Sequence, residues 1–326
     1  MARTIDWENR IGRRLRLRDL HVFFAVVQSR SMAKAAAHLR VTQPAVSKAI
    51  SDLEAALGVR LFDRSPQGVE PTKYGTVLLK CGSAAFDELR QGIRGIEYLS
   101  DPTVGDLLIG CPESISSSIL PPIIYRFTQQ YPRVILDIDA GSTPAMLRKL
   151  ADRSIDLVLA RTGVSQLPEP FSEDWNTEIL FEDELIIAAG KDNPWARRSK
   201  IDLADLLNER WILTATDDWS HTVVADAFRA RGLQTPTISM RTPSVHLRTN
   251  LLATGQFIAA LPRSVMSLYG PRFSLKILPI ALPVRPWPVS IVTLKNRTLS
   301  PVVERFIECS REVAGTFGKR PWSRRS

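Results

Sequence analysis

Cysteine is scarce: Cys81, Cys111 and Cys309 stand far apart in 326 positions. An odd number in no paired motif offers neither a disulfide framework nor a structural zinc site. Cys111 follows a strand-like run, but a redox switch needs a partner thiol or a lowered pKa, and neither is visible. Histidine is equally sparse, and His21, His38, His221 and His246 show no ligand spacing. His21 and His38 are read as surface or packing residues. A Gly-rich phosphate loop with its lysine, a paired His-Glu zinc motif and a Gly-x-Ser-x-Gly elbow are all missing. No cofactor or metal is therefore expected, and catalysis has no visible constellation. No run approaches the roughly 20 apolar residues that span a bilayer. The N-terminal stretch carries Arg3, Asp6 and Glu8 at once and lacks the apolar core of a signal peptide. The expectation is a soluble, cytoplasmic protein with no membrane partner.

What is present is a hydrophobic content of 44%, enough for two or three folded units. The net charge of +9 is unevenly spread. Residues 1–80 hold 14 Lys and Arg against 7 Asp and Glu, so +7 of the surplus sits in one quarter of the chain. Such a concentration is the footprint of a phosphate-binding module, although a solubilising surface would carry the same charge.

The first helical pattern runs from Leu17 through Leu20, Phe23, Phe24 and Val27. Ser31 can cap a second helix, Met32 to Leu39, built largely of alanine, whose small side chains admit a close neighbour. Arg40-Val41-Thr42 is a tight turn. Thr42 can cap a third helix with Pro44 in its first turn, where the missing N–H costs nothing. Val46, Ile50, Leu53 and Leu57 line one side of that helix, and Gln43, Ser47, Lys48 and Ser51 the other. Two short helices joined by such a turn, the second displaying amide, hydroxyl and ammonium groups, suit a major-groove reader. A bland helical hairpin shares the apolar spacing. Gln pairs with adenine, Lys with guanine, and Ser with a base edge or a phosphate. Gly58 ends the helix, and the segment around Ser65-Pro66-Gln67-Gly68 reads as a hairpin wing flanked by Arg60 and Arg64. From Thr72 to about Leu99, Leu78, Leu79, Ala85, Leu89, Ile93 and Ile96 recur at helical intervals. Pairing with a second copy would bury that stripe. Glycines at 82, 92 and 95 weaken the rod.

The fixed offsets are Phe23-x-x-Val26, Ser31-x-x-x-Ala35-Ala36-x-x-Leu39, Thr42-Gln43-Pro44-Ala45-Val46-Ser47-x-x-Ile50-x-x-Leu53-Glu54, Leu57-Gly58-x-x-Leu61-Phe62-x-Arg64 and Thr72-x-x-Gly75. Residues 17–99 thereby resemble the winged helix-turn-helix and linker helix of LysR-type transcriptional regulators. The resemblance implies that Gln43, Pro44, Ser47 and Lys48 face bases, and that Ser31, Ser51, Arg64 and Thr72 contact the DNA backbone or hold the wing. It further implies promoter DNA as partner, a homodimer or a dimer of dimers (a homotetramer), and contact with RNA polymerase. The arginine-rich extension before Leu17 is longer than the family's usual few residues.

Beyond Asp101-Pro102, strand-like and helix-like segments alternate, giving an α/β order with a largely parallel sheet. Strands are expected at 107–110, 134–138, 155–160, 185–189, 211–213, 238–240 and 257–262, with 289–294 returning to the first lobe. Helices are expected at 121–130, 146–151, 222–229 and 301–311. Two lobes crossed twice by the chain enclose a cleft suited to a small ligand. This part is similar to the family's sensor domain, whose fold is that of periplasmic solute-binding proteins. The expected fold is thus mixed. An α-rich winged helix-turn-helix (15–74) and a linker helix (75–100) precede an α/β two-lobed effector domain (103–318), with lobe I at 103–176 and 282–318 and lobe II at 177–281.

By position, the resemblance places Ser114, Ser116, Ser142, Thr143, Thr214, Thr216 and His221 at the effector cleft. Hydroxyls near helix N-termini can hold a carboxylate, although plain capping explains the same serines. Arg161 can neutralise an acid or lie on the surface. An aromatic or sugar-derived acid fits the family's habits. The function expected is a sequence-specific DNA-binding regulator modulated by a small effector, not an enzyme. A transport solute-binding protein, a cytoplasmic α/β enzyme and a nucleoid-binding protein are the alternatives. The basic head argues against the first, turnover would reveal the second, and indifference to sequence and metabolites the third.

Overall fold

Capping and side-chain size build the first unit. Helix α1 (Leu17–Ser29) ends at Arg30, whose φ of 49° is left-handed. Ser31 then accepts a hydrogen bond from the Lys34 N–H and starts α2 (Met32–Leu39). Thr42 does the same for α3 (Gln43–Leu57) through the Ala45 N–H, and Gly58, with φ of 72°, closes it. The core buries Phe23, Val26, Ala35, Val46, Ile50 and Leu53, and the Phe23 ring lies 5.0 Å from that of Phe62. A hairpin of β1 (Phe62–Ser65) and β2 (Gly68–Pro71) forms the wing.

The computed structural model describes residues 15–65, 68–162, 174–216, 218–280, 282 and 286–318. Arg3, Arg10, Arg13 and Arg14 of the basic extension, and the Pro66-Gln67 turn, lie outside them. The chain divides into units before and after Leu89–Arg90.

Helix α4 (Lys73–Ser100) has 28 residues, about 42 Å of rod at 1.5 Å per residue. Two glycines seat its start. A Cβ on Gly75 would fall 2.2 Å from the Leu61 carbonyl oxygen, and one on Gly82 would fall 2.9 Å from the Phe24 ring. Leu78 and Leu79 pack against the head core, so they leave the stripe proposed for self-pairing. The exposed apolar line instead runs through Tyr74, Val77, Leu89, Ile93, Ile96 and Leu99.

In the second unit, the first sheet has the order β4-β3-β5-β12-β6, from β3 (Val104–Cys111), β4 (Arg133–Ala140), β5 (Leu157–Arg161), β6 (Trp175–Asp183) and β12 (Trp287–Leu294). Every residue of β5 is buried. Leu157 and Leu159 join the core under α6 (Leu120–Gln130) and α11 (Pro301–Gly318), and Val158 and Ala160 the core under α7 (Thr143–Ala151). A central strand covered on both faces reads as an unbroken apolar run for this reason.

The second sheet has the order β11-β7-β10-β8-β9, from β7 (Leu185–Gly190), β8 (Trp211–Leu213), β9 (Ile238–Arg241), β10 (Ile258–Pro262) and β11 (Leu275–Ile277). Helix α8 (Trp219–Arg229) covers one face, and α9 (Val245–Ala253) and α10 (Arg263–Phe273) the other.

Neither sheet is largely parallel. β12 runs antiparallel to β5 and β6, and β7 antiparallel to β10 and β11. Chain crossing explains the first case, since β12 re-enters lobe I from lobe II. The first crossing lies at Asp183-Glu184 and not near residue 177, because β6 pairs with β12 through Asp183. Helix α8 begins three residues earlier than residue 222, and α11 continues past residue 311 to Gly318. Among the described residues no helix is long and apolar enough to cross a membrane, and no cluster of His, Cys, Asp and Glu could hold a metal ion.

Candidate DNA-reading face and ligand cavity

On α3 the buried and displayed faces separate cleanly. Val46, Ile50 and Leu53 are buried, Gln43, Pro44, Lys48 and Ser51 are exposed, and Ser47 is half-buried. Steps of four residues set Gln43, Ser47 and Ser51 along one flank, with Lys48 beside them. Glu54 anchors this helix to the wing: its Oε1 accepts from the Leu61 N–H at 2.7 Å and the Phe62 N–H at 3.3 Å.

Thr72 has a structural task. Its hydroxyl donates to the Arg60 carbonyl at 2.8 Å and accepts from the Gly75 N–H at 3.1 Å, fastening the wing to the start of α4. Ser31 serves as the cap of α2. Arg64 projects exposed from β1, and His21 and His38 are exposed.

The cavity of the second unit lies where both sheets present strand ends, with a volume of about 540 Å³. From lobe I come Glu113 and Ser114 of the short helix α5 (Glu113–Ser116), Ser142 and Thr143 at the start of α7, and Arg161 at the end of β5. Lobe II contributes Thr214, Asp218, Trp219, Ser244 and Arg248, and prolines 112, 144, 243 and 262 make much of the remaining wall apolar.

Ser114, Ser142, Thr143 and Thr214 thus meet at the cavity, whereas Ser116, Thr216 and His221 do not line it. Ser116 closes α5, its hydroxyl donating to the Glu113 carbonyl. Thr216 is exposed, and His221 is turned into the packing of α8. Burial and the nearby Arg241 hold the His221 imidazole below its usual range, against a smaller opposing effect of Asp218. Ser142 caps α7 through the Ala145 N–H. The Thr214 hydroxyl donates to Asp218 at 2.8 Å, and Asp218 caps α8.

Arg161 is no surface residue. Its Nη2 donates to Asp183 at 2.6 Å and its Nη1 to Ser114 Oγ at 2.9 Å, while its guanidinium stands 5.4 Å from the Trp219 ring centre. Asp183 in turn accepts from the Ser264 N–H at 3.1 Å and Ser264 Oγ at 2.7 Å, in the first turn of α10. One carboxylate therefore joins the ends of β5 and β6 to lobe II. A second cross-lobe tie runs from the Val245 N–H to Glu113 Oε2 at 2.7 Å, and burial pushes the Glu113 carboxyl above its usual range.

Cys111 lies buried at the end of β3, with its thiol pushed up to about 12 by burial and by Asp139. At that value it is inert as a thiolate. Glu113, Asp218 and Trp219 fall in the segments 112–117 and 214–221 that the resemblance places at the cleft, whereas Arg248 is a single residue in an unpatterned stretch with no sequence signal.

Residues 17–76 match the bacterial regulatory helix-turn-helix protein family of the LysR type, and residues 100–315 match the LysR substrate-binding domain. The chain is 31% identical over 297 residues to the transcriptional dual regulator GltC of Bacillus subtilis, spanning 90% of this chain and 96% of that protein. It is 26% identical over 309 residues to the regulator GbpR of Azospirillum brasilense, spanning 94% and 89%. Full-length OxyR from Pseudomonas aeruginosa superposes with a TM-score of 0.64 at 22% identity, covering 92% of this chain and 94% of that one. CbnR bound to its target DNA gives 0.61 at 21% identity, covering 92% and 100%. At such identities these structures establish a shared fold. The chain belongs to the LysR family of transcriptional regulators: it is a DNA-binding regulator and not an enzyme, a winged helix-turn-helix followed by a LysR substrate-binding domain.

Proposed function

We infer that this regulator recognises an inverted repeat near a promoter as a dimer, further paired into a tetramer, and that a small molecule in the 540 Å³ cavity sets its activity. The observation that carries the reading is a cavity walled by both lobes, whose closure or opening alters contacts between them. Coupling requires the effector to bind two arrangements with different affinity. Gln43, Pro44, Ser47 and Lys48 face bases. Ser51 and Arg64 contact the DNA backbone, while Ser31 and Thr72 hold α2 and the wing in place. The exposed line from Tyr74 to Leu99 pairs with a second copy, and contact with RNA polymerase follows on the promoter. Support for DNA as partner comes from the match of residues 17–76 and from CbnR, solved on its target DNA. The cavity takes its ligand against Ser114, Ser142, Thr143 and Thr214.

Genome-wide mapping of the bound DNA tests the reading first: discrete peaks that share an inverted repeat support it, and diffuse binding sinks it. Gel shifts at two salt concentrations then separate the roles. Gln43→Ala and Ser47→Ala should relax specificity by about 1–3 kcal/mol at one base position. Arg64→Ala should weaken binding to every duplex and reduce its salt slope by about one. A uniform loss for Gln43→Ala would remove it from the base readers.

A further inference from the structure

Among the described residues, Arg161, Arg248 and Arg297 are the buried arginines, and the way each is satisfied differs. Arg297 donates to Asp156 Oδ1 at 2.9 Å and to the Ile155 carbonyl at 2.7 Å. Arg161 donates to Asp183 at 2.6 Å. Arg248 is 2% exposed, and no carboxylate of the described residues lies within ion-pair distance of it. Its terminal nitrogens make two long bonds to carbonyls, 3.3 Å to Ala260 and 3.4 Å to Pro243, and its Nε has no partner. A guanidinium in that state carries a desolvation cost that outweighs the pull of Asp218 and Glu113, which act on it from a distance without forming an ion pair. Arg248 also lines the cavity.

The other positive features of the cavity are already matched. Asp183 meets Arg161 and the first turn of α10, Asp218 caps α8, and Glu113 accepts the first N–H of α9. Glu113 is a poor standing counter-ion for Arg248, because its carboxyl is spent on that N–H and burial favours its neutral form. At the opposite wall, α7 is capped by the neutral Ser142. The lining around these groups is Trp219 and prolines, which suits an apolar body.

We propose that the cavity takes a carboxylic acid with an apolar body, and that Arg248 is the residue that receives its carboxylate. The proposal rests on the effector reading above and names its ligand class. One carboxylate completes the guanidinium.

The test is a thermal-shift and calorimetric comparison on the full chain, using acid and amide pairs of equal shape: hexanoate with hexanamide, and 3-phenylpropanoate with 3-phenylpropanamide. Neutral and cationic metabolite-sized compounds complete the panel. The acids should raise the unfolding temperature of the wild type, with the amides bound about ten- to a hundredfold more weakly. Arg248→Gln and Arg248→Met should lose the preference for acids. Arg248→Met should also unfold at a higher temperature than the wild type when no ligand is added, which a purely structural arginine would not allow. Equal response to acids and amides, or an intact acid preference in Arg248→Gln, overturns the assignment. A response confined to neutral or cationic compounds overturns it while the effector reading stands. No response to any compound overturns both.

Discussion

Asp156 is the residue whose loss should cost the second unit most. It sits just before β5 and is 2% exposed. Its carboxylate accepts from Arg94 Nη1 at 3.0 Å, Arg297 Nη2 at 2.9 Å and the Leu108 N–H at 3.1 Å. The side chains of Arg297 and Asp156 are 2% and 3% exposed, and that of Arg94 is 19%. In Asp156→Asn the neutral amide can keep one or two of these contacts, but the Arg297 charge stays buried without its partner. Breaking such a pair costs about 3–5 kcal/mol. For a unit of this size each kcal/mol moves the midpoint by about 2–4 °C, so the transition of the effector domain should fall by about 10 °C. Arg94 can hydrate from the edge of the site, and Arg94→Met should cost only about 1 kcal/mol. Asp156→Leu combined with Arg297→Met removes the two buried charges together, leaves Arg94 to hydrate, and should recover most of the loss. Calorimetry of the wild type, these three variants and Arg297→Met alone decides the matter. A loss below about 1 kcal/mol for Asp156→Asn, or equal losses for Arg94→Met and Arg297→Met, would refute the ordering by burial.

Gly75→Ala should destabilise the head by more than the 1–3 kcal/mol usual for overpacking, because its new methyl meets the Leu61 carbonyl oxygen at 2.2 Å; an unchanged urea midpoint would contradict this. Ile93→Glu and Leu89→Lys should leave folding intact and shift sedimentation toward the monomer, since both residues are about half exposed; an unchanged oligomer would move the interface elsewhere. His221 is neutral when folded, whereas the unfolded chain binds its proton near pH 6.5. Its contribution to stability is therefore complete above about pH 6.5 and lost as pH falls through the lower folded value. The wild type should lose unfolding temperature relative to His221→Phe between pH 7 and 5.5, and parallel curves would exclude this role.

The head was the most legible part of the sequence. Caps at Ser31 and Thr42, a proline in the first turn of α3 and one apolar flank each act locally, so their spacing survives without tertiary information. The buried strands were legible because both faces are covered. Helix α9 was not, since Val245, Arg248, Thr249 and Leu252 are all buried and its apolar residues follow no single face. Helix α10 was hidden by Pro271 within it. The edge strand β6 has neither a regular alternation nor an unbroken apolar run, and it was not legible as a strand. At the cavity, position picked out Ser114, Ser142, Thr143 and Thr214, which line it, together with Ser116, Thr216 and His221, which do not, because helix ends and ligand contacts share one local signal. Arg248 carried no local signal, because its isolation is a fact of the folded neighbourhood.

Trp219 has a practical consequence. Its indole lies 5.2 Å from that of Trp287, beneath the Arg161 guanidinium, and forms part of the cavity wall. Emission from a ring so placed depends on the charge above it and the molecule beside it. The protein thus contains an intrinsic optical gauge of occupancy, isolated by subtracting the spectrum of Trp219→Phe. With it, arrival of an effector can be timed in a stopped-flow mixer, without label or DNA.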